Sequence, residues 1–166
     1  MTIALHKVEQ LINECKELGI NIDRHSLPNN IKGLYYADSK TEPVIAIDFC
    51  VDTQSETYCV IAEELGHYQT SCGNLLTDKA IDNVIVRKQE TRAKRWAYEK
   101  LVSLDKLISA YESGVRDRYA LAAHLDITDE FLEVSLKYYK VKHGLYSILG
   151  NYIIYFEPFG IFKMFE

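Results

Sequence analysis

The stretch Val60-Ile61-Ala62-Glu63-Glu64-Leu65-Gly66-His67 sets three ionisable side chains inside a run that otherwise belongs in a hydrophobic core. Burying such groups without partners is costly, so their presence asks for a counter-charge, a ligand or water. Residues four apart on a helix differ by only ~40° in direction, so Glu63 and His67 project side by side and can chelate one metal ion. Glu64, next in sequence to the first ligand position, can reach a water on that metal as general base without being a ligand itself, which is the mechanics of a His-Glu-x-x-His helix. A core histidine beside two surface glutamates is the competing reading of the same spacing.

A third carboxylate bears on that choice. Glu90 stands three, seven and eleven residues before Ala93, Ala97 and Leu101, on what reads as the apolar face of a second helix. An acid there wants a cation. The small residues Ala93 and Ala97 would let this helix approach another closely, so that Glu90 could meet ligands on its neighbour. A salt bridge to Arg87, Arg92 or Arg95 is the alternative.

The elements that must position these groups are legible in outline. Apolar positions Leu5, Val8, Leu11, Ile12 and Leu18 recur at helical spacing from Ile3 to Leu18, and Gly19 follows as a stop. Short β-type runs come next, at Ile20 to Ile22, Ile31 to Tyr36 and Val44 to Val51, separated by turn formers. Thr53 or Ser55 offers an N-cap for the helix that carries Glu63, Glu64 and His67. That helix is apolar nearly all round, so it should be buried. The helix that carries Glu90 is expected from about Lys79 to Val102, with Ile81, Val84, Ile85, Ala93, Trp96, Ala97 and Leu101 as its apolar positions.

Taken together, Glu63-Glu64-Leu65-Gly66-His67 followed by Glu90-Thr91-Arg92-Ala93-Lys94-Arg95-Trp96-Ala97-Tyr98-Glu99-Lys100-Leu101 resembles the ImmA/IrrE family of metallo-endopeptidases. Members typically show HExxH, often HELGH, then E-x-x-A-N-x-F-A-x-x-L-L. The order of the two halves, the length between them, the Ala-x-x-x-Ala frame and the bulky aromatic all match, over most of the chain. The resemblance implies a zincin-like α+β fold, with His67 a zinc ligand, Glu64 the general base and Glu90 the third protein ligand. Two residues depart from the pattern. Lys94 stands where Asn is frequent, and Glu63 replaces the first metal-binding histidine. Zinc accepts carboxylate oxygen as well as imidazole nitrogen, so Glu63 is an admissible ligand, and the added oxygen also suits manganese or iron. Two anionic ligands would leave a bound water less acidic than a two-histidine site does.

After Val102 the character changes. Helices are expected over Leu104 to Ser113, Arg116 to His124 and Thr128 to Lys142, the last stopped by Gly144. The tail, Tyr152 to Phe156 and Ile161 to Phe165 about Glu157-Pro158-Phe159-Gly160, reads as a β-hairpin. The chain therefore divides into a metallopeptidase-like domain over 1–103 and a helical region with a terminal hairpin over 104–166. Leu121 to Leu132 has the cadence of a helix-turn-helix, but Asp129, Glu130 and Glu133 in its second helix would repel a phosphate backbone. Packing or protein docking is the expected role there, rather than direct DNA binding.

Composition narrows the function classes. The net charge of -5 over 166 residues argues against a general nucleic-acid scaffold, and no stretch approaches the ~18 apolar residues of a membrane span. Cys15, Cys50, Cys59 and Cys72 form no Cys-x-x-Cys pair, which suits reduced thiols in the cytoplasm. A di-metal carboxylate bundle would need a second Glu-x-x-His, and the sequence has none. Two hypotheses follow from the resemblance. One is a metal-dependent endopeptidase of a prophage or integrative element that cleaves a helix-turn-helix repressor. The other is a non-catalytic antirepressor of the same fold that binds such a repressor after losing the metal.

Overall fold

A computed structural model of the chain describes residues 6–70 and 83–165. It is an α+β protein of two compact units, 1–97 and 98–166. Among the described residues the first unit holds α1 (Lys7–Glu17), β1 (Asn21–His25), β2 (Gly33–Tyr36), β3 (Val44–Asp48), α2 (Gln54–Thr70) and most of α3 (Asn83–Leu101). Residues 3–5 of the expected first helix, the start of α3 at Lys79, Ile81 and Cys72 lie outside the described residues, and His6 is the N-cap of α1.

The helix α1 forms because Val8, Leu11 and Cys15 recur on one face and are buried, and it stops where Gly19 takes φ +74°. Its chain then enters a three-stranded sheet of order β1-β3-β2. β1 runs parallel to β3, with Asn21 opposite Val44, and β2 runs antiparallel to it, with Gly33 opposite Ile47. The central strand is the most apolar, and Ile45 and Ile47 are sealed with Ile20, Val51, Ile61 and Leu65 in the core of this unit. β2 is left at the edge of the sheet.

Local polar contacts hold the entrance to α2. The Asp48 carboxylate accepts from the Leu27 amide at 2.6 Å and the Cys50 amide at 2.8 Å, which fixes the turn after β3. The Arg24 guanidinium, at the end of β1, donates to the Val51 carbonyl and to Thr57 Oγ1. Thr53 is the cap, its Oγ1 accepting from the Glu56 amide at 3.1 Å. The helix so placed is buried at Tyr58, Cys59, Val60, Ile61, Ala62, Leu65 and Gly66.

In α3 the apolar face is narrower than the sequence suggests. Ala93 and Ala97 are fully buried, but Val84 and Ile85 are 51% and 49% exposed, so the seam closes only over the second half of the helix. There it is tight. A Cβ built on Gly66 of α2 would lie 2.3 Å from the Ala93 carbonyl oxygen, so the two backbones touch where neither residue offers more than a methyl group.

The second unit carries α4 (Leu104–Glu112), α5 (Arg118–Leu125), α6 (Asp129–His143) and a meander of β4 (Tyr146–Leu149), β5 (Tyr152–Phe156) and β6 (Phe159–Lys163). The three helices open on Ser103, Asp117 and Thr128, whose side chains accept from the amides of Lys106, Ala120 and Phe131. α6 stops at Gly144, with φ +87°. The expected hairpin is thus one strand short of what forms. Gly150, at φ +56°, and Asn151 make a two-residue turn that folds β4 onto β5, with Leu149 opposite Tyr152. Leu107, Leu121, Leu132, Leu136, Tyr139, Ile154 and Phe156 form the core of this unit. Asp129 and Glu130 stand exposed in the first turn of α6.

Because any side chain at residue 66 would force α2 and α3 apart, Gly66→Ala is expected to lower the unfolding free energy by about 1–3 kcal/mol. Denaturant titration of the two proteins measures it, and equal midpoints would contradict the backbone contact.

Candidate metal centre

The contact between Gly66 and Ala93 sets the neighbouring side chains of α2 and α3 face to face. His67 Nε2 lies 3.4 Å from Glu90 Oε1, so the imidazole and the carboxylate from separate helices do meet. The His67 side chain is 16% exposed and that of Glu90 49%, which corrects the expectation of an acid inside the apolar face. The reason is positional. Glu90 precedes the buried Ala93 and Ala97, at the rim where the seam opens. The salt-bridge partner is His67 rather than a neighbouring arginine.

Glu64, three residues before His67 on α2, reaches the sheet. Its Oε2 accepts from the Tyr35 amide at 2.8 Å. Room for it comes from Gly33, where an added Cβ would lie 2.9 Å from Glu64 Oε1 and 2.6 Å from Val60 Cγ1. Tyr35 therefore gives its amide to a helix carboxylate instead of to another strand, and its ring meets that of Tyr68 edge to face at 5.9 Å. Sequence reading did not single out Gly33 or Tyr35. A glycine inside a β-run does mark a close approach, and Gly33 carried that signal.

Electrostatics follow from placing three carboxylates and one imidazole on a half-buried wall. Burial pushes the Glu64 carboxyl up to about 7, against the opposing pull of His67 and the Tyr35 amide. Burial also raises Glu63, with Lys94 and His67 acting against it and Glu90 adding to it. Burial disfavours the charged form of His67, yet the Glu90 hydrogen bond and the charges of Glu64, Glu90 and Glu63 outweigh it, so the imidazole titrates above its ordinary value. Glu90 is held below the usual range, first by its hydrogen bond to His67.

The donor chemistry fits a divalent ion: carboxylate oxygens and one imidazole, partly desolvated and crowded with negative charge that a cation would neutralise. The groups are not drawn together to the same degree. Among the described residues, no three His, Cys, Asp or Glu side chains are arranged to hold an ion as they stand. His67 and Glu90 are in direct contact, and Glu63 is near enough to feel the charge of both.

The profile of the peptidase M78, IrrE N-terminal-like domain matches residues 15–137, which is most of the chain. The chain belongs to the IrrE N-terminal-like family. That match runs from α1 into α6 and includes every residue described at this site. No curated protein matches the chain. Membership makes this a metallopeptidase-like protein or a regulator of the IrrE and ImmA type. No helix among the described residues is long and apolar enough to cross a membrane.

The Glu64 environment has a measurable consequence in metal-free protein. Ionising it is harder in the folded than in the unfolded state, so the native protein holds more protons between pH 4.5 and about 7, and stability falls as pH rises through that window. Glu64→Gln should therefore stabilise the chelator-treated protein at pH 8 by on the order of 2 kcal/mol and change little below pH 4.5. Thermal melts of both proteins across pH test this, and a variant less stable than wild type at pH 8 would contradict it.

Proposed function

We propose that the chain is a metal-dependent endopeptidase of a mobile genetic element, a prophage or an integrative element, and that it cleaves a helix-turn-helix immunity repressor in the cytoplasm. The family match supports the class of reaction. The observation that carries the reading is the placement of Glu64, held by the Tyr35 amide and near enough to His67 to feel its charge, while His67 itself meets Glu90.

In this reading His67, Glu90 and Glu63 hold one divalent ion, zinc first, with manganese or iron also suited to the oxygen-rich set. Such an ion, when bound, would polarise the peptide carbonyl and acidify a water molecule. The proton work belongs to Glu64. A carboxyl with an affinity near neutrality can take a proton from the attacking water and return it to the leaving amine, and so serve both halves of peptide hydrolysis. The Tyr35 amide keeps one oxygen fixed, leaving the other to do the exchange.

A second reading is favoured by two observations. Glu63 occupies a histidine position, and no three ligating side chains are arranged as a set among the described residues. These features suit a non-catalytic antirepressor of the same fold, which would bind the repressor and relieve it without cutting.

Incubation of the purified, zinc-supplemented protein with a candidate helix-turn-helix repressor separates the two. Cleavage is expected from wild type, and Glu64→Gln should lose at least about a hundredfold in rate while still binding the repressor, because it removes a proton acceptor and not a ligand. Equal cleavage by both proteins rules out Glu64 as base, and binding without cleavage by wild type selects the antirepressor. Glu63→His should bind zinc at least as tightly as wild type in a competition titration with a chromogenic chelator. Weaker binding would show that Glu63 is not replaceable as a ligand.

A further inference from the structure

The meander of β4, β5 and β6 has two faces of opposite character. Tyr152, Ile154 and Phe156 of β5 share one face with Ile161 and Lys163 of β6, and α4 and α6 cover it. Glu112 of α4 accepts from the Tyr152 hydroxyl and from Lys163 Nζ, and Tyr139 of α6 stacks on Phe156 at 5.5 Å. Strand alternation puts Tyr146, Ile148, Ile153, Tyr155, Gly160 and Phe162 on the opposite face. Met164 extends that set, since its amide donates to the Asn151 carbonyl at 2.7 Å and continues the ladder by one pair. None of these residues is charged, and the one charged residue of the three strands, Lys163, lies on the covered side.

The rings on the open face form a row. Tyr146 meets Tyr155 at 5.5 Å, and Tyr155 meets Phe162 edge to face at 5.7 Å. The Phe162 ring leans over Gly160, 3.3 Å from where a Cβ would sit, and fills the space that a side chain at residue 160 would take. Tyr146 is 47% exposed, Ile148 57%, Phe162 59% and Met164 40%, with Ile153 and Tyr155 half-buried between them. With roughly 200 Å² of surface to each such side chain, the open part comes to about 500 Å², as large as the apolar patches that mark interaction sites. The family match ends at residue 137, within α6, so it does not extend to this face.

We propose that the open face of the meander pairs with the same face of a second copy of the chain, in an isologous dimer. Charge and shape select that occupant. A face without charged side chains gives a charged partner nothing to pair with, whereas its own copy is equally apolar. A three-stranded sheet stacks on another about 10 Å away, turned by about 30°. Two such faces together bury about 1,000 Å², the lower limit for a specific association. An isologous pair leaves neither face open, so assembly stops at two. The net charge of -5 on each copy opposes approach, and salt, by screening it, strengthens the contact. This pairing is independent of the metal centre.

Sedimentation velocity of the full chain, from about 1 to 300 µM at low and high salt, tests it. Wild type should pass from monomer to dimer across that range, more readily at high salt and with no larger species. Ile148→Lys and Tyr146→Lys, at positions already open to water, each place a charge in the contact twice, once from each copy. Either should raise Kd by at least about a hundredfold. Val141→Lys, at an 85% exposed position of α6 on the covered side of the sheet, should leave Kd unchanged. Circular dichroism melts check that each variant is folded. A wild type that stays monomeric throughout overturns the proposal, whatever the variants do. A dimer that survives both lysines places the contact elsewhere, and a dimer that dissociates with salt is ionic; either result also overturns it. A monomeric wild type that binds a candidate helix-turn-helix repressor, with binding lost in Ile148→Lys, gives the face to that partner instead.

Discussion

The site depends on the backbone contact between Gly66 of α2 and Ala93 of α3. A larger residue on either side would hold the helices about a side chain apart, and His67 and Glu90 would no longer meet across them. Everything polar at the centre is arranged around that contact. His67 and Glu63 leave α2 on the side of the seam, and Glu64 leaves it toward the sheet, where Gly33 again makes room by having no side chain. Two glycines, one on the helix and one on the edge strand, thus make room for α3 and for the Glu64 carboxylate.

Such close approach concentrates charge. Glu63, Glu64 and Glu90 share a half-buried wall with one imidazole, and burial, ahead of repulsion among the carboxylates, raises the affinity of Glu63 and Glu64 for protons. Protein folds rarely keep such groups without use, since an apolar residue in their place would be more stable. In the proposed reading a divalent cation supplies the compensation. The exposure of Glu90 leaves this wall open to solvent on one side.

Much of this was legible in the residues. The burial of α2 followed from an apolar surface nearly all round, and the four-residue spacing of Glu63 and His67 placed them on one face before any coordinates. The closeness of α3 was carried by Ala93 and Ala97, whose small side chains mark a tight seam. Less legible was where that seam ends. Val84 and Ile85 continue the apolar spacing of α3 but stand exposed, because periodicity records which residues share a face and not how far a partner extends along it. The strand β4 escaped for a related reason: four residues of alternating pattern after a helix stop carry little signal, and its pairing depends on the turn at Gly150 and Asn151. Gly33 and Tyr35 could not be tied to Glu64 from sequence, since that contact joins a strand to a helix some thirty residues on.

The claim beneath the whole account is that side chains from α2 and α3 share one cation. A crystal of the full chain grown with zinc, with anomalous scattering recorded on both sides of the zinc edge, tests it most directly. The account predicts a single strong peak about 2.0–2.2 Å from both His67 Nε2 and a Glu90 carboxylate oxygen, with the Glu63 carboxylate turned toward it. A zinc peak elsewhere on the molecule, or a Glu90 carboxylate directed into solvent with His67 bearing no ion, would contradict it.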